Sequence, residues 1–385
     1  MFSFGTDYYL LVFAASLGVL QIAVSLGHLK GLMIFKHPLV ARASGLALAV
    51  GAFVWFFSTG TRNLNDNQGG LDANIQALLF LLGALTALAF TIVVPSLVNA
   101  RMNGHPSPRE GLDALRYTNY VKALGYSSRY WWSEWPTRMT TKWVAGDRVA
   151  PVSLAFALIG LLLVGVIFLW LSDWAGRLSL LDRVMNSPLT EKMAQADEAV
   201  FRWINGWVGR YSPLDRMMEW VVSDYLVPVT LALTLTGLWF VGGEKAVRMK
   251  NQITVFVALS AMGLASWVVA VNNALYFRPR PFVDHDVSLL FYQPTDSSFP
   301  ANTTAATFAI AAAVWRVNRR VGLATYLAAG LYGLARVYAG VHYPLDIVGG
   351  ALIGIVVAFL VFKLRELLEP LPTLVIKFAR ILCLA

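Results

Sequence analysis

Long apolar runs recur along the chain and predict helices that cross a membrane. About 20 apolar residues in a helix span the roughly 30 Å hydrocarbon core of a bilayer. Nine runs near this length predict an all-α, polytopic bundle of about nine transmembrane helices, at residues 8–27, 43–58, 73–98, 150–172, 223–241, 252–275, 301–315, 321–338 and 346–362. The second, seventh, eighth and ninth runs are short or rich in small residues. The Ala, Gly and Thr residues that dominate 301–315 and 321–335 favour close packing inside a bundle over contact with lipid.

Basic residues concentrate in alternate loops between these runs. The loops at 28–42, 99–149, 242–251 and 316–320 and the tail after residue 362 hold 21 of the 31 Lys and Arg residues but only 7 of the 22 Asp and Glu residues. Because Lys and Arg are enriched in cytoplasmic loops, we expect this set to face the cytoplasm of a bacterial plasma membrane. The N-terminus then lies outside and the C-terminus inside.

The composition agrees with a membrane protein. Of 385 residues, 57% are hydrophobic and only 14% are charged, whereas a soluble protein has about a quarter charged residues. The 13% aromatic content argues against disorder, and the single cysteine, Cys383, excludes a disulfide scaffold. The net charge of +9 reflects loop topology, so we expect no nucleic-acid partner.

The runs divide the chain into three parts. Residues 1–149 hold three runs and a basic segment, residues 150–370 hold a core of six runs with the polar motifs, and residues 371–385 form a short cytoplasmic tail. The segment 99–149 carries eight Tyr and Trp residues among its basic ones. We interpret it as a stretch lying on anionic lipid headgroups. The alternative is a surface in residues 1–149 for a protein partner or a second copy of the chain.

Two arginines alternate with prolines after the sixth run, as Arg278-Pro279-Arg280-Pro281. Proline ends a helix and stiffens the backbone before it, so both guanidinium groups are held at the end of a membrane helix. Arginine binds phosphate through a planar fork of donors, which makes Arg278 and Arg280 candidate phosphate ligands. The alternative is that both arginines snorkel to the membrane surface.

The sequence Ser298-Phe299-Pro300 opens the seventh run. Proline is frequent at the first helical position, and the free amides of a helix start bind anions. We therefore expect the amides at 301–304 to face a phosphate, with Asn302 and Thr303 as phosphate-binding residues. The alternative is an ordinary capped helix start.

A third motif follows the eighth run, with Arg336, His342 and Asp346 in the spacing Arg-x5-His-x3-Asp. Pro344 favours a helix start between the histidine and the aspartate. A carboxylate that accepts from one imidazole nitrogen leaves the other as a nucleophile or base, and Arg336 could hold a phosphate in line. A structural His–Asp pair is the alternative, which the convergence of three arginines disfavours.

Two further features lie between these motifs. Asp284-His285-Asp286 is either a metal or acid–base element or a hydrated loop. His285 and Asp296 are candidate auxiliary acids because they are near the motifs in sequence.

In order and spacing, the three motifs resemble those of the type-2 phosphatidic acid phosphatase superfamily, and most closely its undecaprenyl-diphosphatase branch. The resemblance covers about residues 195–365. It implies a two-step phosphoryl transfer without metal or cofactor, on a lipid phosphate or diphosphate at the outer face of the membrane. In this scheme His342 forms a phosphohistidine, Asp346 orients it, and the arginines at 278, 280 and 336 bind phosphate.

The sequence departs from the family pattern at two positions. Asn273 stands where the first motif has a lysine, and Ala301-Asn302-Thr303 replaces Ser-Gly-His or Ser-Asp-His in the second motif. Thr303 cannot protonate a leaving group at neutral pH, and a positioned acid contributes about 10²–10⁴-fold. A leaving phosphate monoester needs that proton less than an alkoxide does, so the change favours a polyprenyl diphosphate substrate.

Two other functions remain open at this point. The protein could bind or scaffold lipid phosphates after losing hydrolysis, or it could transfer a phosphoryl group to an acceptor other than water. A glycosyl-transferring variant would use Asp284, His285 and Asp286 with a divalent metal.

Overall fold

A computed structural model describes residues 3–64, 70–106, 111–144, 188–368 and 370–385. The predicted run at 150–172 lies outside these ranges. The all-α prediction is confirmed, since the described ranges contain helices and connecting loops without a β-strand. The helices are α1 Phe4–Leu26, α2 Pro38–Ser58, α3 Ala73–Val98, α4 Tyr120–Val144, α5 Pro188–Asn205, α6 Ser212–Val222, α7 Leu226–Phe240, α8 Lys245–Leu275, α9 Pro281–Asp284, α10 Asn302–Trp315, α11 Arg319–Tyr338, α12 Pro344–Leu368 and α13 Pro370–Ile381.

Five described helices are long and apolar enough to cross a membrane, namely α1, α2, α3, α8 and α12. Together α6 and α7, bent by 51°, provide a sixth span if they are one unit. The predicted spans at 301–315 and 321–338 do not meet this test. The first forms the 14-residue α10, which is shorter than a bilayer core requires, and the second forms α11, which carries arginines near both ends.

The helix α10 is the centre of the C-terminal bundle and packs against α8, α11 and α12. Small residues on α10 and α12 allow this close packing. A Cβ at Gly354 of α12 would lie 2.3 Å from the carbonyl oxygen of Ala305, and one at Gly350 would lie 2.4 Å from that of Ala301. The prediction that small residues mark a helix inside the bundle is confirmed for α10. This packing places the N-terminus of α10 beside the N-terminus of α12.

The N-terminal region is a second helical layer against this bundle. Its first helix, α1, packs between α2, α3 and α7, and its close approach to α2 depends on two glycines. A Cβ at Gly18 would lie 2.4 Å from the carbonyl oxygen of Gly45. By contrast, α2 and α3 expose large apolar side chains, among them Leu46, Leu78 and Leu81, as helices in contact with lipid do.

The described loops gather at two ends of the molecule. We call the end that carries the three polar motifs the site end and the other the opposite end. At the site end, the side chain of Asn63 donates to the carbonyl oxygens of Glu219 and Leu290, at 2.9 and 3.4 Å. At the opposite end, Arg248 forms an ion pair with Asp113 at 2.5 Å. The site end holds loops 59–64, 206–211, 223–225, 276–301 and 339–343, and the opposite end holds 27–37, 111–119, 241–244, 316–318 and 382–385.

The C-terminal residues pack against the N-terminal region. Tyr120 and Ser127 of α4 donate to the carbonyl oxygens of Leu382 and Ile381, each at 2.8 Å. The Cys383 side chain is fully buried there. Part of the segment predicted as a lipid-facing or partner surface therefore contacts the chain's own C-terminus.

Candidate active site

Arg280 is held rigidly at the site end by three protein oxygens. Its Nε donates to the backbone carbonyl of Asp296 at 3.0 Å, and its Nη2 forms an ion pair with the Asp296 carboxylate at 2.8 Å. Its Nη1 donates to the carbonyl of Val341 at 2.9 Å. The residue is 5% exposed. The stiff Arg-Pro backbone and these bonds fix the orientation of the guanidinium, which points toward His342.

The imidazole of His342 lies between Arg280 and the second motif. Its Nε2 is 3.2 Å from Nη1 of Arg280, and its Nδ1 is 3.0 Å from the carbonyl oxygen of Ser298. A guanidinium offers only donors, so Nε2 accepts and the proton sits on Nδ1, which donates to Ser298. Burial lowers the pKa of His342. The neutral ring therefore presents its Nε2 lone pair to a guanidinium.

Asp346 stands behind this histidine in the first turn of α12, which begins at Pro344 as predicted. One carboxylate oxygen, Oδ2, accepts from the Ser298 hydroxyl at 2.5 Å and from the Tyr343 amide at 2.8 Å. The same oxygen is 3.6 Å from Nδ1 of His342, too far for a hydrogen bond. In this structure Nδ1 of His342 donates to the backbone carbonyl of Ser298, and the Ser298 hydroxyl donates to Asp346. A direct bond between carboxylate and imidazole stays a prediction.

Arg278 connects Asp346 to a residue outside the three motifs. Its Nη1 forms an ion pair with Oδ1 of Asp346 at 2.6 Å, and its Nη2 forms one with Oδ2 of Asp197 at 2.7 Å. Its guanidinium lies 4.1 Å above the ring of Tyr343. Two carboxylates therefore hold Arg278 in this structure, and its phosphate-binding role stays a prediction.

Arg336 lies in the last turn of α11, where the sequence places it, but its terminal nitrogen contacts protein groups. Its Nη2 pairs with Asp224 and lies 2.5 Å from the hydroxyl of Tyr332, and its guanidinium is 4.6 Å from the Phe291 ring. Its Nε is buried without a partner among the described residues. Its charge acts on His342 at longer range and further lowers the pKa of that residue.

The second motif differs from its predicted form. The helix α10 begins at Asn302 and not at Pro300, because the backbone of Ala301 is still extended and its amide donates to the carbonyl of Asp346 at 3.0 Å. The amide at 301 is thus already used. Asn302 is exposed, and no side chain caps this helix start.

Comparison with known proteins assigns the family. Residues 254–369 match the family model of the PAP2 superfamily. Over 157 residues the chain is 31% identical to the undecaprenyl-diphosphatase BcrC of Bacillus subtilis (strain 168), and the match covers 40% of this chain and 78% of that protein. The chain belongs to the PAP2 superfamily. It is a PAP2-type membrane phosphatase, as the resemblance of its motifs implies.

The chain is also similar to other proteins. The chain is 30% identical over 138 residues to the putative undecaprenyl-diphosphatase YbjG of Escherichia coli (strain K12), covering 35% of this chain and 66% of that one. A crystal structure of Aquifex aeolicus LpxE is 30% identical, with a TM-score of 0.34 and coverage of 43% of this chain and 93% of that one.

The two departures from the PAP2 motifs share a structural property. The hydroxyl of Thr303 and the side-chain oxygen of Asn273 are both buried without a hydrogen-bond partner among the described residues. A buried polar atom without a partner costs about 1–3 kcal/mol. Both atoms are therefore open to a further hydrogen-bond partner, and the phosphate-binding role of Thr303 stays a prediction.

The candidate auxiliary acids lie around this PAP2 site. The ring of His285 packs edge-on against Tyr343, with centroids 6.2 Å apart, and its Nε2 is 3.7 Å from a carboxylate oxygen of Glu198. Asp296 is engaged by Arg280 and its side chain is 60% exposed. Among the described residues, Asp284, His285 and Asp286 form no group of three ligands suited to a metal ion.

Two acidic residues of the PAP2 site were missed from the sequence. Asp224 lies at the break between α6 and α7 and pairs with Arg336. No sequence motif indicates this contact. Asp197 lies on α5, where it shares a buried face with Phe201 and Asn205. The spacing of four residues between these three positions was the available signal, since it places them on one side of a helix.

Proposed function

We propose that this protein hydrolyses a polyprenyl diphosphate through a phosphohistidine at His342, at the outer face of the membrane. The observation that carries the proposal is the contact between Nε2 of His342 and Nη1 of Arg280, 3.2 Å apart and both buried. Two relatives that carry the name undecaprenyl-diphosphatase support the lipid class.

In the first step, a phosphoryl oxygen accepts from Nη1 of Arg280 in place of Nε2, and the freed Nε2 lone pair of His342 attacks the terminal phosphorus of the diphosphate. A nitrogen–phosphorus bond forms, the bridging phosphorus–oxygen bond breaks, and the lipid monophosphate leaves with the bond electrons. The ring becomes cationic, and Ser298 and Asp346 stabilise it from the Nδ1 side. Arg280 stabilises the charge that develops on the phosphoryl oxygens, which is the largest contribution in most such sites.

In the second step, water attacks the phosphohistidine. An oxygen–phosphorus bond forms, the nitrogen–phosphorus bond breaks, and inorganic phosphate leaves. The proton of the attacking water passes to the departing phosphate or to solvent, and the neutral ring of His342 is restored.

The leaving group explains how the site works without a histidine at position 303. A lipid monophosphate is a weak base near neutral pH, because a second phosphate pKa lies at about 6. It therefore leaves without the proton that an alkoxide would need. No metal enters this scheme, because Arg280, which contacts His342, supplies positive charge to the reacting phosphoryl group and Arg278 and Arg336 are proposed to add to it.

The outer location of the reaction rests on charge. The loops of the opposite end belong to the set that holds most of the Lys and Arg residues, and this excess marks a cytoplasmic side. The site end would then face the exterior leaflet, where a lipid diphosphate headgroup can enter from the bilayer.

Phosphate release from detergent-purified protein tests the proposal. We expect release from a polyprenyl diphosphate with and without chelator, and a loss of at least about 10³-fold in His342→Ala, as removal of a nucleophile causes. Binding of the lipid should persist in that variant. The matched control is His37→Ala, which removes an exposed histidine from the opposite end and should leave turnover unchanged.

Acid-labile labelling of the wild type, but not of His342→Ala, by a terminally ³²P-labelled substrate would identify the phosphohistidine. Equal turnover in His342→Ala would contradict the mechanism. Lipid binding without any phosphate release in the wild type would favour the second candidate, a lipid-phosphate-binding protein, which the loss of the lysine and histidine at positions 273 and 303 supports.

A further inference from the structure

We propose that Asp197 is a positioning residue for the reaction, acting on His342 through Arg278 and Asp346. This inference rests on the proposed function of His342. Asp197 belongs to α5, which precedes residues 254–369 that match the family model. It touches none of the atoms that react, so its effect must pass through the groups that it holds.

The contacts of Asp197 join three separate elements. Its Oδ2 forms the 2.7 Å ion pair with Nη2 of Arg278, and its Oδ1 accepts from the backbone amide of Leu345 at 2.8 Å. The side chain is fully buried. Arg278 lies in the loop after α8, and Leu345 is in the first turn of α12, one residue before Asp346. The Asp197 carboxylate thus fixes both the Arg278 guanidinium that pairs with Asp346 and the backbone amide of the residue before Asp346.

Charge alternates along this line of contacts. Asp197 is negative, Arg278 positive, Asp346 negative, and His342 becomes positive when it attacks phosphorus. Without Asp197, the full charge of Arg278 would act on Asp346 and weaken its stabilisation of the cationic ring. Burial raises the pKa of Asp197, and its bonds to Arg278 and the Leu345 amide oppose that effect.

An anchor for α5 without electrostatic influence is the competing explanation. Asp197 lies on the same buried face as Phe201, whose ring packs against Tyr343 with centroids 5.3 Å apart. Removal of Asp197 could loosen this contact and lower activity by misplacing the site. The two explanations differ in the pH dependence of turnover, because only a charge effect moves the titration of His342.

The direction of that movement follows from the charges around the ring. Arg280 and Arg336 disfavour the cationic form of His342, and Asp346 favours it. Asp197 is a further negative charge and so raises the His342 pKa. Since attack requires the neutral ring, the acid limb of kcat/KM reports this pKa. Loss of Asp197 should therefore move the acid limb to lower pH.

The test compares Asp197→Asn with the wild type in detergent, with the lipid diphosphate as substrate. We expect kcat to fall about 10–100-fold, a loss typical of residues that orient a reacting group, with KM changed less than about twofold. The acid limb should move down by on the order of half a pH unit. In Asp197→Glu, which keeps the charge, the acid limb should stay at the wild-type pH even if kcat falls.

Glu191→Gln is the matched control. It removes the same charge from the first turn of α5, at an exposed position. Because solvent screens exposed charges, its acid limb and kcat should remain near the wild-type values. A thermal unfolding scan of each variant checks that the fold is retained.

A double-mutant cycle with Arg278→Gln tests whether Asp197 acts through Arg278. If Asp197 acts through Arg278, Asp197→Asn should have little further effect in the Arg278→Gln background. Unchanged kcat in Asp197→Asn, a lowered kcat with an unmoved acid limb, or full additivity in the cycle would each overturn the inference. Absence of phosphate release from the wild type would instead contradict the proposed function.

Discussion

Thr303 occupies the position at which a histidine would protonate a leaving group in the PAP2 pattern. Its hydroxyl is buried without a partner among the described residues, beside the start of α10. The site therefore retains the proposed nucleophile, His342, and Arg280 beside it, but it has no acid at position 303. Substrate choice at the residue scale should follow from this one side chain.

Thr303→His should restore an acid and so raise turnover of a lipid phosphate monoester by at least about tenfold. Turnover of the diphosphate should change less, because its leaving group needs no proton. Parallel phosphate-release assays on the two substrates measure the ratio. Asn302→His is the control, since it adds the same ring at the neighbouring exposed position. An unchanged ratio in Thr303→His would remove the support for diphosphate preference.

At the scale of elements, the site depends on how closely α10 approaches α12. The carbonyl of Asp346 accepts from the amide of Ala301 at 3.0 Å, which ties the two helix starts together. Gly350 and Gly354 make this approach possible, because any Cβ there would overlap backbone atoms of α10. These two glycines thus allow the close helix packing that places Ser298 within hydrogen-bond distance of His342.

Gly354→Ala should lower the free energy of unfolding by about 1–3 kcal/mol, as overpacking of a tight core does. The added Cβ would lie 2.3 Å from the Ala305 carbonyl oxygen, so the helices must separate. Thermal unfolding in detergent measures the effect. The control Gly263→Ala, on α8 with open space around its Cβ, should be neutral or stabilising, because alanine favours a helix more than glycine does. Equal stability of the two variants would contradict this account of the packing.

At the scale of the whole molecule, the N-terminal region is built onto the catalytic bundle at both ends. At the site end, a cavity of about 940 Å³ is lined by residues of both parts, among them Phe57, Arg62, Trp220 and Tyr292. Tyr292 also donates to Asp224 at 3.0 Å, which pairs with Arg336. The N-terminal region therefore shares a cavity with Tyr292, which contacts Asp224, the partner of Arg336.

Membrane orientation is the prediction that belongs to this scale. In a Cys383→Ser background, Gly60→Cys lies at the site end and Gly243→Cys at the opposite end, and both positions have open space. We expect a membrane-impermeant thiol reagent to label Gly60→Cys in intact cells and Gly243→Cys only after lysis. The reverse pattern would place the site in the cytoplasm and contradict the proposed outer reaction.

The sequence by itself determined the class of protein and the family, and it predicted the residues of the proposed site. Apolar runs, proline positions and motif spacing are local properties, so they could be recognised without coordinates. They predicted the all-α bundle, the helix start at Pro344, and the Arg-Pro motif with His342.

Only the tertiary structure decided which charges meet. Asp197 and Asp224 pair with Arg278 and Arg336 across 81 and 112 residues of chain, and Nδ1 of His342 donates to the backbone carbonyl of Ser298. Such contacts depend on the relative placement of packed helices, which no local pattern encodes. The membership of α10 in the bundle interior was readable from its small residues, but the partners that its start would meet were not.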